Sequence, residues 1–301
     1  MPEFPPDRQF LHHPDALLPR AGSGIGLAVV QRLVADGIRK ISLVDLVEDR
    51  LSDAVSSLSI IDESTECLKI RCDCSSEEAV EDAVAETVKT FGRIDFCFNA
   101  AGMSGQGGAI AGMEAKGLDA VLGLNLRGVW LCERAEIKQM MKQDLREVAS
   151  GDLGLMLINS TGLRLQTRGS IVNAGSLASH VAIPTLTPYV MSKHGSVLTL
   201  KANKGLPTDE SLAVLGLTKA DALDYGKHGI RINCVCPGWI KTKMTEQLFD
   251  TPVGDALVAR APMNRWGLPE EVAYSVSFLL SDRASFVNGT DLAVDGGYRT
   301  C

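Results

Sequence analysis

From Gly22 to Asp45 the chain carries a pattern that few folds can accommodate. The glycine-rich stretch Gly22-Ser23-Gly24-Ile25-Gly26 is followed by an apolar run at helical spacing, Leu27 to Ala35. Next comes Ile41-Ser42-Leu43-Val44, which ends in Asp45. Glycines let a backbone turn sharply out of a strand and approach a pyrophosphate, which then rests on the amides opening the next helix. The acid stands nineteen residues after Gly26, where a carboxylate can hydrogen-bond the ribose hydroxyls of adenosine and repel a 2′-phosphate. A glycine cluster alone is only a turn. With a helix, a strand and an acid behind it, it predicts a nucleotide site that takes NAD in preference to NADP.

The alternation continues along the chain. Strands are expected near 16–19, 40–45, 67–73, 94–99, 170–174, 230–235 and 290–294. Helices are expected over 24–36, 48–59, 76–91 and 115–148, from about Pro188, and near 241–249 and 269–281. Apolar strands alternating with helices predict an α/β fold, a Rossmann-like doubly wound parallel sheet covered on both faces. No linker interrupts the pattern, so a single domain over 16–301 is expected behind an irregular segment, 1–15. Ligands of such sheets bind at the carboxyl edge of the strands. Gly22–Gly26, Asp45, Asn99, Ser176 and Pro237 would gather there.

A second cluster suggests chemistry. Tyr189-Val190-Met191-Ser192-Lys193 places a tyrosine and a lysine at i and i+4, and Ser176 stands thirteen residues before the tyrosine. On a helix the pair shares one face. A fixed ammonium there would stabilise a phenolate and draw a hydroxyl of ordinary pKa about 10 towards neutrality. That makes a proton donor and acceptor for a carbonyl or an alcohol.

With these features the chain resembles the short-chain dehydrogenase/reductase family in its compact single-domain form, from about Gly22 to Tyr298. Asp73 resembles the family aspartate beside the adenine, with Cys74 next to it. Asn99-Ala100-Ala101-Gly102 is similar to the family's N-N-A-G turn. Asn125 matches the helical asparagine of a catalytic tetrad, and Gly169–Ser176 the strand that delivers the catalytic serine. Pro237-Gly238-Trp239-Ile240-Lys241-Thr242 resembles the loop that meets the nicotinamide carboxamide. Arg265–Glu271 and Asp295-Gly296-Gly297 resemble the C-terminal signatures.

The resemblance implies an NAD-dependent oxidoreductase, of a kind used in secondary metabolism, that interconverts a secondary alcohol and a ketone. It assigns Tyr189 as acid or base, and Ser176 as the hydrogen-bond donor to the substrate oxygen. Lys193 would also hold the nicotinamide ribose, and Asn125 a water linking Lys193 to solvent. It implies a homodimer or homotetramer, provided an inserted segment does not block the interface. Substrate would be enclosed by Met103–Gly112, Leu177–Pro188 and Thr242–Arg260, the last as a lid. Ile183, Leu186, Trp239, Met244 and Leu248 there would suit a moderately apolar alcohol or ketone.

Composition narrows the alternatives. A net charge of −7 argues against nucleic-acid binding, which needs basic surface. No apolar run nears the roughly twenty residues of a membrane span, and the N-terminus lacks a secretory pattern. The cytoplasm is the expected location. Of eight cysteines, Cys72/Cys74 and Cys234/Cys236 are two apart, but no histidine stands at ligand spacing. Buried thiols and no metal are expected. His12, His13, His180 and His228 have no catalytic partner in sequence, and His194 points off the catalytic face.

Three departures from the family pattern support a second reading, an impaired paralogue or mis-spliced product that acts at most as a nucleotide-binding or partner protein. Pro19 and Arg20 replace the Thr-Gly that normally precedes this turn, and Arg20 is expected to strain it or collide with the diphosphate rather than pair with it. Ser196 to Ala213 interrupts the catalytic helix with Gly205 and Pro207, and Gly151–Gln166 is expanded. Such segments have the form of retained intron and a misassigned first exon.

Overall fold

The computed structural model describes residues 15–148, 165–194 and 213–300. Strands β1 (Asp15–Pro19), β2 (Lys40–Asp45), β3 (Glu66–Arg71), β4 (Phe96–Asn99), β7 (Gly169–Ala174), β8 (Ile230–Pro237) and β9 (Asp291–Val294) form one sheet. Its order is β3-β2-β1-β4-β7-β8-β9, and every pairing is parallel. A separate antiparallel pair joins β5 (Arg146–Glu147) to β6 (Gln166–Thr167). Strand order reverses between β1 and β4, which opens a crevice at their carboxyl ends.

Side-chain alternation divides the core in two. Ala16, Leu18, Ile41, Leu43, Phe96 and Phe98 pack with α1 (Gly24–Ala35), α2 (Glu48–Ile61) and α9 (Pro269–Leu280) on one face. Leu17, Val44, Cys97 and Ile171 pack with α3 (Glu77–Phe91), α5 (Val129–Met140) and α7 (Ala213–Tyr225) on the other. Both faces bury apolar atoms, so the strands read as nearly continuous apolar runs.

The central strand is the least expected part. Although Asp15-Ala-Leu-Leu-Pro19 departs from the family pattern, all five residues are buried. They pair with β2 from Asp15↔Lys40 to Pro19↔Val44. Proline's missing amide falls at the strand's last position, and the ladder resumes through the Ala21 amide, which donates to the Val44 carbonyl at 3.1 Å. Asp15 therefore belongs to the sheet. The remainder of the expected irregular segment, and the insert over 196–212, lie outside the described residues, as does the expanded stretch up to 164.

Two helices end differently from the sequence pattern. The helix expected over 115–148 runs as α4 (Ala115–Leu122), a π-helical turn (Gly123–Gly128) and α5, and stops at Met140. Gln143 pins the chain to β4 there, accepting from the Ile94 amide and donating to its carbonyl, both at 2.8 Å. Instead of a helix over 241–249, a 3-10 turn at Glu246–Leu248 leads into α8 (Pro252–Val258). The Thr245 hydroxyl donates to the Ile240 carbonyl at 2.7 Å, so a side chain competes for the backbone. Among the described residues no helix is long and apolar enough to cross a membrane.

Asp15 gives the fold a pH dependence. It is almost fully buried, and its amide donates to Asp95 Oδ2 at 3.3 Å. Burial, then the charge of Asp95, pushes its carboxyl up to about 6 from 3.8. Between those values the folded chain keeps a proton that the unfolded chain has released, so stability falls as pH rises through the window. Asp15→Asn should therefore stabilise the protein at pH 7 by about 1–3 kcal/mol and change little below pH 3.8. Urea melts at the two pH values test this; an equal gain at both would refute the assignment.

Candidate active site

The turn after β1 builds a cradle with little room for side chains. A Cβ on Gly22 would lie 2.5 Å from Arg50 Cβ and 3.1 Å from Asp45 Oδ2. One on Gly26 would overlap the Arg20 carbonyl oxygen. Gly24 has φ 56° and faces Thr242 Cγ2, so the loop after β8 closes over the turn. Ser23 stands at the N-cap of α1 but makes no side-chain capping bond, and Ile25 packs against the core. Arg20 occupies the left-handed region at φ 60°, a strain of about 1 kcal/mol for a residue with a Cβ. The turn thus holds Arg20 in the strained conformation the sequence suggested.

Asp45 ends β2 with its side chain turned into this cradle. Oδ1 accepts from the Val47 amide at 3.1 Å and lies 3.9 Å from Arg50 Nη1. Oδ2 is buried and has no hydrogen-bond partner. An orphaned carboxylate oxygen beside a glycine turn suits a pair of ribose hydroxyls, and the tight cradle suits a diphosphate. Asp73 lies past the end of β3, and its Oδ1 accepts from the Ser75 amide and hydroxyl at 2.9 and 2.7 Å. Cys74 beside it is buried with Cys72 and Cys132.

At the other end of the crevice four side chains converge. Asn125 lies in the π-helical turn, completely buried. It accepts from the Met103 amide at 2.8 Å and donates to the Met103 carbonyl at 2.8 Å and to Ser192 Oγ at 3.0 Å. A Cβ on Gly102 would sit 3.2 Å from Asn125 Oδ1 and 4.0 Å from Lys193 Nζ. Ser176 follows β7 and is held by a capping box with Ser179. Its hydroxyl accepts from the Ala178 amide at 3.0 Å. Tyr189 and Lys193 lie on α6 (Thr187–His194).

The spacing of Tyr189 and Lys193 leads one to expect a depressed tyrosine pKa, and the structure reverses that expectation. Lys193 Nζ donates to the Ala174 carbonyl at 2.7 Å. Tyr189 is pushed up by burial, against the hydrogen bond of Ser176 and the charge of Arg20. Burial also holds Lys193 down to about 8. Helical spacing aligns two side chains, but it does not choose the acceptor that a long lysine stem finds.

The tips of β4 and β7 are braced by groups that the sequence reading did not single out. Asn99 and Asn173 are register partners, and Asn99 Nδ2 donates to Asn173 Oδ1 at 3.1 Å. Glu136 accepts from Asn99 at 3.0 Å, and Glu133 accepts from Asn173. Both glutamates are fully buried on α5. Burial pushes Glu133 well above the carboxylate range and Glu136 to about 7. Two glutamates three apart among Leu131, Cys132, Ala135 and Ile137 were the available signal. They brace the strand ends from which Ala100-Ala101-Gly102 and Gly175-Ser176 lead on.

The remaining predicted residues frame the crevice. Gly238 packs against Asp295, where a Cβ would lie 2.7 Å from its Cα, and Ile240 bridges to Gly267 behind Pro237. Met103–Gly112 and Leu177–Pro188 meet where the Gly108 amide donates to the Thr185 carbonyl at 2.8 Å. Thr242–Arg260 is tied down by Phe249, whose ring meets Trp266 edge-on at 4.9 Å. A cavity of about 310 Å³ lies between this segment and Gly296-Gly297, lined by Trp239, Ile240, Val258 and Met263 rather than by Tyr189. His180, without a partner in sequence, lies 3.0 Å from Asp291 and 2.9 Å from Arg299. His194 Nδ1 is 3.3 Å from the Ala178 carbonyl.

Known proteins resemble this chain in sequence and fold. Residues 16–148 match the family model described as short chain dehydrogenase, and 210–299 the one described as Enoyl-(Acyl carrier protein) reductase. The chain is 34% identical to short-chain dehydrogenase fogB of Aspergillus ruber over 288 residues, covering 94% of this chain and 96% of the relative. It is 34% identical to 2,5-dichloro-2,5-cyclohexadiene-1,4-diol dehydrogenase of Sphingobium indicum over 279 residues, covering 92% and 93%. Among solved structures, levodione reductase superposes with a TM-score of 0.78 at 31% identity, covering 96% of this chain and 98% of that one.

Proposed function

This chain belongs to the short-chain dehydrogenase/reductase family, oxidoreductases acting on CH–OH groups, and from that premise we propose an NAD-dependent enzyme that interconverts a secondary alcohol and a ketone through Tyr189. The observation that carries the reading is the crevice itself. The orphaned Asp45 Oδ2 stands at one end, and Ser176, Tyr189 and Lys193 at the other. The bound nicotinamide supplies or accepts the hydride.

The protein's own groups handle the substrate oxygen and its proton. Tyr189 Oη gives that proton in ketone reduction and takes it in alcohol oxidation. Ser176, fixed by its capping box, donates to the same oxygen. Lys193 keeps one donor on Ala174, leaving two for the nicotinamide ribose and the phenol. Asn125 clamps the Met103 backbone and retains an Oδ1 lone pair for a water on the path from Lys193. Cytoplasmic location and a homodimer or homotetramer complete the reading. A small apolar cyclic ketone or diol, by analogy with the named relatives, is its substrate class.

Titration with NADH, followed by nucleotide fluorescence with NADPH in parallel, tests the cofactor assignment. Saturable binding that favours NADH is expected. Asp45→Asn should weaken NADH by about tenfold, the loss of a charged hydrogen bond, and narrow the gap to NADPH. An unchanged preference would remove Asp45 from the site. A folded wild-type chain that binds neither nucleotide would put the impaired-paralogue reading first.

A further inference from the structure

Arg20 is the residue of the crevice that neither the fold nor the family pattern accounts for. It directly follows the last residue of β1, which pairs Pro19↔Val44 with β2, at the switch point of the sheet. Its backbone is fixed, since Gly26 packs against its carbonyl oxygen. Among the described residues the guanidinium has neither a hydrogen bond nor an ion pair, although Arg20 is partly buried. The Asp45 carboxylate is 3.9 Å from Arg50 instead. Groups from both ends of the crevice nevertheless stand near enough to bear on Arg20: Asp45 and Arg50 on one side, the Tyr189 phenol on the other. Its own charge is felt at Tyr189 and Lys193.

Resting on the reading of this crevice as a dinucleotide site, we infer that Arg20 is an anion anchor for the cofactor diphosphate, a cationic clasp added to the backbone amides of the turn. A dinucleotide held by its ribose at Asp45 and by its nicotinamide near Tyr189 must carry its diphosphate past the tip of β1. A guanidinium presents a planar fork of donors that matches phosphate oxygens two at a time. The opening of α1 adds to the same field. Ser23 leaves its amides without a side-chain cap, and the first turn carries no acid. Positive φ at a residue other than glycine, held by packing rather than relieved, is the kind of strain that functional sites retain.

The inference separates phosphate from nucleoside. Binding of NADH, ADP and adenosine is measured on the full chain at low and high salt, for wild type, Arg20→Gly and Arg20→Lys. Glycine relieves the positive φ, and thermal melts establish that each variant is folded. Arg20→Gly should weaken ADP and NADH by about tenfold or more and flatten their salt dependence. Adenosine should bind as before, and Arg20→Lys should recover part of the loss. Equal or tighter ADP binding by Arg20→Gly overturns the anchor and makes Arg20 an obstruction, leaving the dinucleotide reading intact. If folded wild type and Arg20→Gly both fail to bind adenosine, ADP and NADH, the dinucleotide reading falls and the anchor with it.

Discussion

Tyr189→Phe is expected to lower turnover by about 10²- to 10⁴-fold, the usual contribution of a positioned acid or base, while leaving NADH affinity nearly unchanged. The substitution removes one oxygen. Ser192, three residues on, does not replace it, because its hydroxyl already donates to the Tyr189 carbonyl at 2.7 Å. The ring stays and preserves the packing between Ser176 and Lys193. Steady-state turnover and fluorescence titration on the same preparations separate chemistry from binding. Near-normal turnover would remove Tyr189 from the reaction, whereas a parallel collapse of NADH binding would make its role structural.

Gly26→Ala should have the other large effect, on nucleotide binding and stability together. The added methyl would overlap the Arg20 carbonyl oxygen and press on its carbonyl carbon. Both are backbone atoms of a turn already held at positive φ, so no flexible side chain can yield. Overpacking of this kind costs about 1–3 kcal/mol, and any relief must widen the cradle or tilt α1. A lower denaturant midpoint with much weaker NADH binding is expected. A variant with wild-type stability and affinity would mean that the turn is looser than its contacts indicate. Alanine at Gly117, where a side chain would meet nothing within 4 Å, provides the contrasting control.

Much of this organisation was legible in the residues. Local signals sufficed where one short segment decides the outcome: the glycine turn, Asp45 at the end of β2, and the alternation that sends Ala16 and Leu18 to one core and Leu17 to the other. They failed where a distant group competes. The helical pattern after Ala115 runs on past Met140, but the two bonds of Gln143 to Ile94 stop the helix. The stretch after Ile240 is helical in composition, but the Thr245 hydroxyl takes the Ile240 carbonyl and breaks it. Segment 15–19 looked like a damaged strand and still fills the centre of the sheet, because a buried slot between β2 and β4 favours any apolar extended segment over none.

The candidate site divides in the same way. The candidates Asn125, Ser176, Tyr189 and Lys193 were legible in the sequence, because the tyrosine and lysine share a helical face by their spacing and the family resemblance marks the asparagine and serine. Their electrical state was decided only by the tertiary structure. It placed Lys193 on Ala174 and raised Tyr189 rather than lowering it. It buried Glu133 and Glu136 behind the strand tips, and it turned Arg20 from a lost glycine into a charge felt between Asp45 and Tyr189. The physical reason is that a pKa and a free donor depend on desolvation and on charges from other elements. Those neighbours meet only when the sheet closes, so no local stretch of sequence contains them.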